Sequence, residues 1–217
     1  MTVITISRKL GSDGKYIAQE VAQRLGYYFV DKEFIGAVLG EYGLADFDRK
    51  YDHLPTFWEK FDSQKEDRRV LLAEMVIRVL QAVAQHGDVV ILGRSGYVAL
   101  EGFADVLNVR LQASDSFRIG QIAARQKIDV EQAAVIVERR DKVRAAFVNS
   151  FYGVDWEECN GFDLLINRGK ISAESTIEWL VDAAGAMADR VDDGQQTAVS
   201  LQIDRNLAAT IADELAR

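Results

Sequence analysis

Residues 3–18 read VITISRKLGSDGKYIA. Val3-Ile4-Thr5-Ile6 has the composition of a short buried strand, and the segment from Gly14 to Leu25, GKYIAQEVAQRL, places Ile17, Val21 and Leu25 on one helical face. Gly26 supplies the stop. A glycine-rich turn between a strand and a helix is a common place for holding phosphate. The spacing G-x-x-x-x-G-K-[ST] is half present: counted back from Gly14-Lys15, Lys9 stands at the first glycine, and Tyr16 stands where a small hydroxyl would meet magnesium.

A phosphate cradle needs glycines so that successive backbone N–H groups can turn inward, the positive end of a following helix, and one lysine. Gly11, Gly14 and Lys15 supply these parts, Ser12 adds a hydroxyl, and Asp13 completes the turn before Tyr16. The expectation is that amides between Leu10 and Tyr16 converge on an anion beside the Lys15 ammonium. Because Tyr16 cannot stand in for serine, the metal candidates are Ser12 and Asp31, or water. The plainer alternative is a tight surface turn that only starts a helix.

Strand and helix signals alternate beyond this turn. Strands are expected at 27–30, closing on Asp31, and at 88–92, 105–111 and 163–167. Helices are expected at 33–40, about 64–86 (buried stripe Leu72, Met75, Val76, Val79, Val83), after the cap Ser114, at 129–151, and from the cap Ser172 to about 189. Residues 41–63 read as an irregular, charged segment around Pro55. Strands separated by helices predict right-handed crossovers and a parallel sheet covered on both faces. Past Arg190, DDGQQ reads as a linker, TAVSLQI as an added strand and NLAATIADELA as a short amphipathic helix, material for packing or dimerisation.

The chain of 217 residues fits one domain, 1–190, with a tail at 191–217. Its net charge of −8 disfavours nucleic-acid polymers and anionic membranes, while leaving room for a local cationic pocket that takes a small phosphate. Its single cysteine, Cys159, excludes an internal disulfide, and neither a leader pattern nor a long apolar run is present, so a cytoplasmic location is expected. His53 and His86 offer no metal spacing, and Trp58, Trp156 and Trp179 read as packing residues, Trp58 least clearly so.

Two further segments bear on a phosphate ligand. VVILGRSG places Gly93-Arg94 at the carboxyl end of a strand, the edge where open α/β sheets bind ligands, and an arginine there can fork onto a phosphate or carboxylate. In VERRDKVRAAF, Arg140 and Arg144 share a helical face with Arg139 on the flank, a set able to close over a triphosphate. Glu138 and Asp141 could equally pair with these arginines along a solvated helix.

The elements ITISRKLGSDGKYIAQEVAQRLGYYFVDKEFI, VVILGRSGYVAL, NVRLQAS, ERRDKVRAAFVNSFYGVDW and FDLLINRGKIS, in this order over about residues 2–185, resemble the cytidylate kinase-like family of P-loop nucleoside monophosphate kinases. The resemblance implies a five-stranded parallel sheet, an acceptor-side segment at about 32–63 and an arginine-bearing helical lid at about 125–160. It implies that Gly11, Ser12, Asp13, Gly14 and Lys15 hold the donor phosphates, that Asp31 lies near acceptor and metal, and that Arg94 faces the acceptor nucleotide. Arg139, Arg140 and Arg144 then match lid arginines, with ATP and Mg2+ as cofactors. The chain departs from cytidylate kinases at the altered loop, at Ser95 in place of an aspartate that helps read cytosine, and at Lys32 in place of a serine. Two functions follow as expectations: an ATP-dependent phosphotransferase acting on a CMP-like or similar small acceptor, with a small-molecule nucleotide as partner and a homodimer as a possible assembly, or a nucleotide-binding sensor without turnover. Tyr152 and Asp155 of FYGVDW are expected to order the exit of the lid.

Overall fold

The computed structural model describes residues 1–44, 63–188 and 194–217. Five strands, β1 (Val3–Arg8), β2 (Tyr28–Val30), β3 (Val89–Leu92), β4 (Val106–Gln112) and β5 (Leu164–Asn167), form one parallel sheet in the order β2-β3-β1-β4-β5. The helices are α1 (Gly14–Leu25), α2 (Lys32–Glu41), α3 (Ser63–His86), α4 (Gly96–Ala99), α5 (Asp115–Gln126), α6 (Val130–Tyr152), α7 (Ala173–Ala188) and α8 (Arg205–Leu215). The chain therefore has the expected α/β architecture, with β1 at the centre of the sheet. The acceptor-side segment around His53, Pro55 and Trp58, and the start of the DDGQQ linker, lie outside the described residues.

The strands form where they do because both faces of the sheet are covered. Val3, Val30, Val89 and Ile91 pack with α2, α3 and α8 on one face; Ile4, Ile6, Val90, Leu92 and Val109 pack with α1 and α7 on the other. Two apolar faces turn each central strand into a continuous apolar run, which is how VITI and VVIL read in the sequence. Caps set the helix boundaries. Ser114 accepts from the N–H of Phe117 at 3.4 Å, Ser172 accepts from Ser175 at 2.9 Å, and Gly26 closes α1 at φ 68°.

The tail departs from its reading. TAVSLQI, expected as an added strand, is instead a 3₁₀ turn at Ala198–Ser200 followed by extended chain that pairs with no strand. The donors a ladder would use are bound elsewhere. The buried Asp105 carboxylate accepts the N–H of Ala198 at 2.6 Å and of Val199 at 3.2 Å. α8 then lies against α2 and α3, adding Leu207 and Ile211 to the core. Replacing Asp105 with alanine strands those donors and is expected to lower stability by about 2 kcal/mol, read as a lower midpoint in urea unfolding. An unshifted midpoint would show that this carboxylate does not hold the tail.

All five strands end at the same edge. The turns leaving β1, β2 and β3 meet there, bringing residues 9–13, Asp31 and Gly93-Arg94-Ser95 to one crevice.

Candidate active site

The turn after β1 is bent by two left-handed residues, Gly11 at φ 84° and Asp13 at φ 61°. At Gly11 the bend is also a close approach, since a Cβ there would come 2.6 Å from the carbonyl oxygen of Arg118 on α5. No side chain caps α1, so its first-turn N–H groups, from Gly14 to Tyr16, have no helical acceptor and form the positive end of the helix. Two amides of the turn point elsewhere: Leu10 donates to Asp141 Oδ1 at 3.0 Å, and Ser12 donates to the Lys9 carbonyl at 3.3 Å. The inward-facing set is therefore shorter than the sequence suggested and starts no earlier than Gly11.

Ser12 is fully buried, with its hydroxyl donating to the carbonyls of Lys9 at 2.7 Å and Leu111 at 3.2 Å. It fastens the turn to β4 and faces away from the crevice. Tyr16 is exposed. Lys15 reaches across to Asp31, Nζ to Oδ2 at 3.1 Å. Asp31 also caps α2, accepting the N–H groups of Glu33 at 3.0 Å and Phe34 at 3.4 Å. Burial works to raise the Asp31 carboxyl, but the bonds from Glu33 and Lys15 outweigh it and hold the group below its ordinary value.

Beside this turn lies a cavity of about 160 Å³, lined by Arg8, Arg94, Arg140 and Arg144, with Lys32 and the aromatic rings of Tyr97, Phe147 and Trp156. Arg94 sits in a run of three left-handed residues: Gly93 at φ 81°, Arg94 at 51° and Ser95 at 58°. Two consecutive non-glycine residues in that region store backbone strain, of the sort found where a side chain must be aimed. The Tyr152 hydroxyl steadies the turn by donating to the Arg94 carbonyl at 3.3 Å, and the Arg94 guanidinium lies 5.3 Å from the Phe147 ring centroid. Arg144 is held at 3.2 Å by Asp141. Arg140 reaches the cavity from an exposed position, whereas Arg139 is exposed and does not line it. Beneath the cavity, buried Arg110 donates to Ser7 Oγ at 2.8 Å and stacks 4.1 Å from the Trp156 ring centroid.

Sequence reasoning passed over Arg8, read Asp141 only as a partner of the lid arginines, and took Asp13 as part of the phosphate-holding turn. Arg8 ends β1 and enters the cavity, although the rule that singled out Arg94, an arginine at the carboxyl end of a strand, applies to it equally. Asp141 is a junction: its carboxylate takes the Leu10 N–H, Arg144 and, at 2.6 Å, buried Arg118. Asp13 binds Arg125 of α5 and, at 2.9 Å, buried Arg168 after β5. Lys9, at the missing first glycine, pairs with Glu157 at 2.8 Å. The turn is thus tied at three points to the region expected as the lid.

Among the described residues no cluster of three or more His, Cys, Asp or Glu side chains could by itself hold a metal. One carboxylate, Asp31, opens on the crevice beside Lys15. That donor set fits magnesium carried in on nucleotide phosphates, which needs only one or two protein carboxylates. Among the same residues, no helix is long and apolar enough to cross a membrane.

The model of the family described as "Cytidylate kinase-like family" matches residues 3–170. The cytidylate kinase of Methanopyrus kandleri is 28% identical over 198 residues, covering 88% of this chain and 96% of the relative. That of Pyrococcus horikoshii is 30% identical over 194 residues, covering 88% and 92%. Among solved structures, an uncharacterized protein from Eubacterium ventriosum superposes with a TM-score of 0.65 at 16% identity, covering 86% of this chain and 99% of that one. TT1252 from Thermus thermophilus superposes with a TM-score of 0.50 at 14% identity, covering 88% and 98%. These two show a shared fold.

Proposed function

The chain belongs to the cytidylate kinase-like family and is a phosphotransferase of the kinase class, and on that footing we propose that it moves the terminal phosphoryl group of ATP to a nucleoside monophosphate of the CMP or dCMP type. One observation carries the reading: an uncapped helix start with Lys15, and a cavity lined by four arginines, open on the same sheet edge. The first suits the donor's phosphates, the second an anionic acceptor.

In this reading the amides of Gly11 and of Asp13 to Tyr16 hold the donor phosphates, with Ser12 setting the shape of the turn. Lys15 would leave Asp31 to neutralise the oxygens of the last two phosphates, and Asp31 would then be available to hold the metal. Magnesium, when bound, would supply further charge neutralisation to the donor phosphates. Arg94 orients the acceptor phosphate, while Arg140 and Arg144 close from α6 and exclude water, with Arg139 on the outer face of this lid. The acceptor oxygen is already anionic, so no general base is required. Positioning and charge do most of the work in such transfers.

A nucleotide sensor without turnover is the second reading, and Tyr16 favours it: exposed where a small hydroxyl would stand, it offers magnesium no ligand. Coupled ADP release with ATP, magnesium and CMP, dCMP or UMP, run beside calorimetry with ATP, separates the two. Acceptor-dependent ADP release supports the kinase. ATP binding with no release under any acceptor supports the sensor.

A further inference from the structure

Arg8 is the one cation of the crevice that issues from the central strand. Its side chain threads between two glycines. A Cβ at Gly14 would lie 2.6 Å from Arg8 Cγ, and one at Gly93 would overlap the guanidinium. The glycines at the head of α1 and the end of β3 thus leave a slot that fixes the stem of this arginine. Arg8 stands between the helix start that carries Lys15 and the cavity shared with Arg94, Arg140 and Arg144. Among the described residues its guanidinium makes no hydrogen bond and no ion pair. Neighbouring charge is mixed: Arg144 and Arg94 oppose its own, while Asp31 and Glu33 favour it.

A fixed guanidinium with open donors, set between the places for the two phosphates that must meet, has the geometry of an arginine aimed at a transferred group. Resting on the phosphotransferase reading above, we infer that Arg8 is a catalytic residue that contacts the phosphoryl group in flight. It supplies from the sheet the charge stabilisation that a lid arginine supplies only after closure. In that step an acceptor phosphate oxygen forms its bond to the terminal phosphorus as the bond to the bridging oxygen breaks. The bonding pair leaves on ADP, and the deprotonated acceptor releases no proton. Charge gathers on the three equatorial oxygens, and in this inference the Arg8 N–H groups donate to them.

Holding such a group ready works against folding. Burial, then the charges of Arg144 and Arg94, bring the Arg8 guanidinium down from its ordinary value to about 9. A base so lowered disfavours the fold in full below pH 9, and the penalty fades as pH rises toward its unfolded value. A neutral replacement should therefore melt no lower than the parent at neutral pH.

The test uses the full chain with Arg8→Met, which keeps the stem between the glycines, and Arg8→Lys. With the preferred acceptor, Arg8→Met is expected to lose kcat by roughly a hundredfold or more while ATP affinity changes less than about threefold, and Arg8→Lys to recover part of the loss. An unchanged kcat overturns the role, and so does an equal loss of ATP affinity, which would make Arg8 a donor contact of the ground state. A second measurement does not depend on turnover: calorimetry with ADP plus fluoroaluminate, a planar mimic of the phosphoryl group. The parent should bind this pair more tightly than ADP alone, and Arg8→Met should lose that margin. Equal margins, or none in the parent, overturn the role even if no acceptor is ever found, whereas absent turnover in the parent counts only against the kinase reading.

Discussion

Lys15→Ala is expected to leave the protein folded and to lower kcat by roughly a thousandfold. The side chain is 61% exposed and its ion pair to Asp31 lies at the surface of the crevice, so its removal costs under about 1 kcal/mol of stability. Its effect belongs to the transition state, where charge builds on oxygens that no other ammonium of the turn reaches, since Lys9 is engaged with Glu157. Steady-state ADP release gives kcat, and a thermal melt gives the folding control. A second consequence is local. The Lys15 bond is among the causes that hold the Asp31 carboxyl low, so the variant's Asp31 should titrate higher. Unchanged turnover in a well-folded variant would remove Lys15 from the mechanism.

Asp141→Ala acts through structure and chemistry together. Asp141 joins the turn's Leu10 N–H, the buried Arg118 of α5 and Arg144 of the cavity. Without it, Arg118 retains Asp115 at 2.5 Å and the Leu10 carbonyl at 3.0 Å but loses its more enclosed carboxylate. Removing one partner of such a buried pair costs about 3 kcal/mol, visible as a lower urea midpoint. Arg144 and the turn lose their common anchor, so kcat should fall by at least roughly tenfold in the fraction that stays folded. Parent-like stability with parent-like turnover would mean that these three contacts are dispensable.

Much of the fold was legible because a parallel sheet covered on both faces writes itself as apolar runs. VITI and VVIL are runs rich in β-branched residues and too short for a buried helix, and Ser114, Ser172 and Gly26 mark helix ends by local chemistry alone. TAVSLQI was misread because alternating apolar residues serve a turn packed on α3 as well as a strand. What decides between them is a carboxylate far off in the chain, Asp105, taking the backbone donors. The same limit applies at the site. Helical periodicity put Arg140 and Arg144 on one face and Asp141 among solvated charges, yet it cannot say which face meets the turn after β1. The rule that marked Arg94 could have marked Arg8 as well, but what fixes Arg8 is the space left by Gly14 and Gly93, which spacing along a sequence does not carry.

The slot that holds Arg8 changes what those two glycines are for. A phosphate-loop account assigns Gly14 to ligand approach and Gly93 to a bend, as unrelated requirements. Threaded by one side chain, they become the two walls of a sheath, and the three positions form a single unit of inheritance. A lineage that keeps the arginine must keep both gaps, whereas one that abandons it is released only at Gly14, since the φ of 81° still holds Gly93 to glycine. Redesign of this crevice for another acceptor therefore starts from residue 8 rather than from the glycines that first draw the eye.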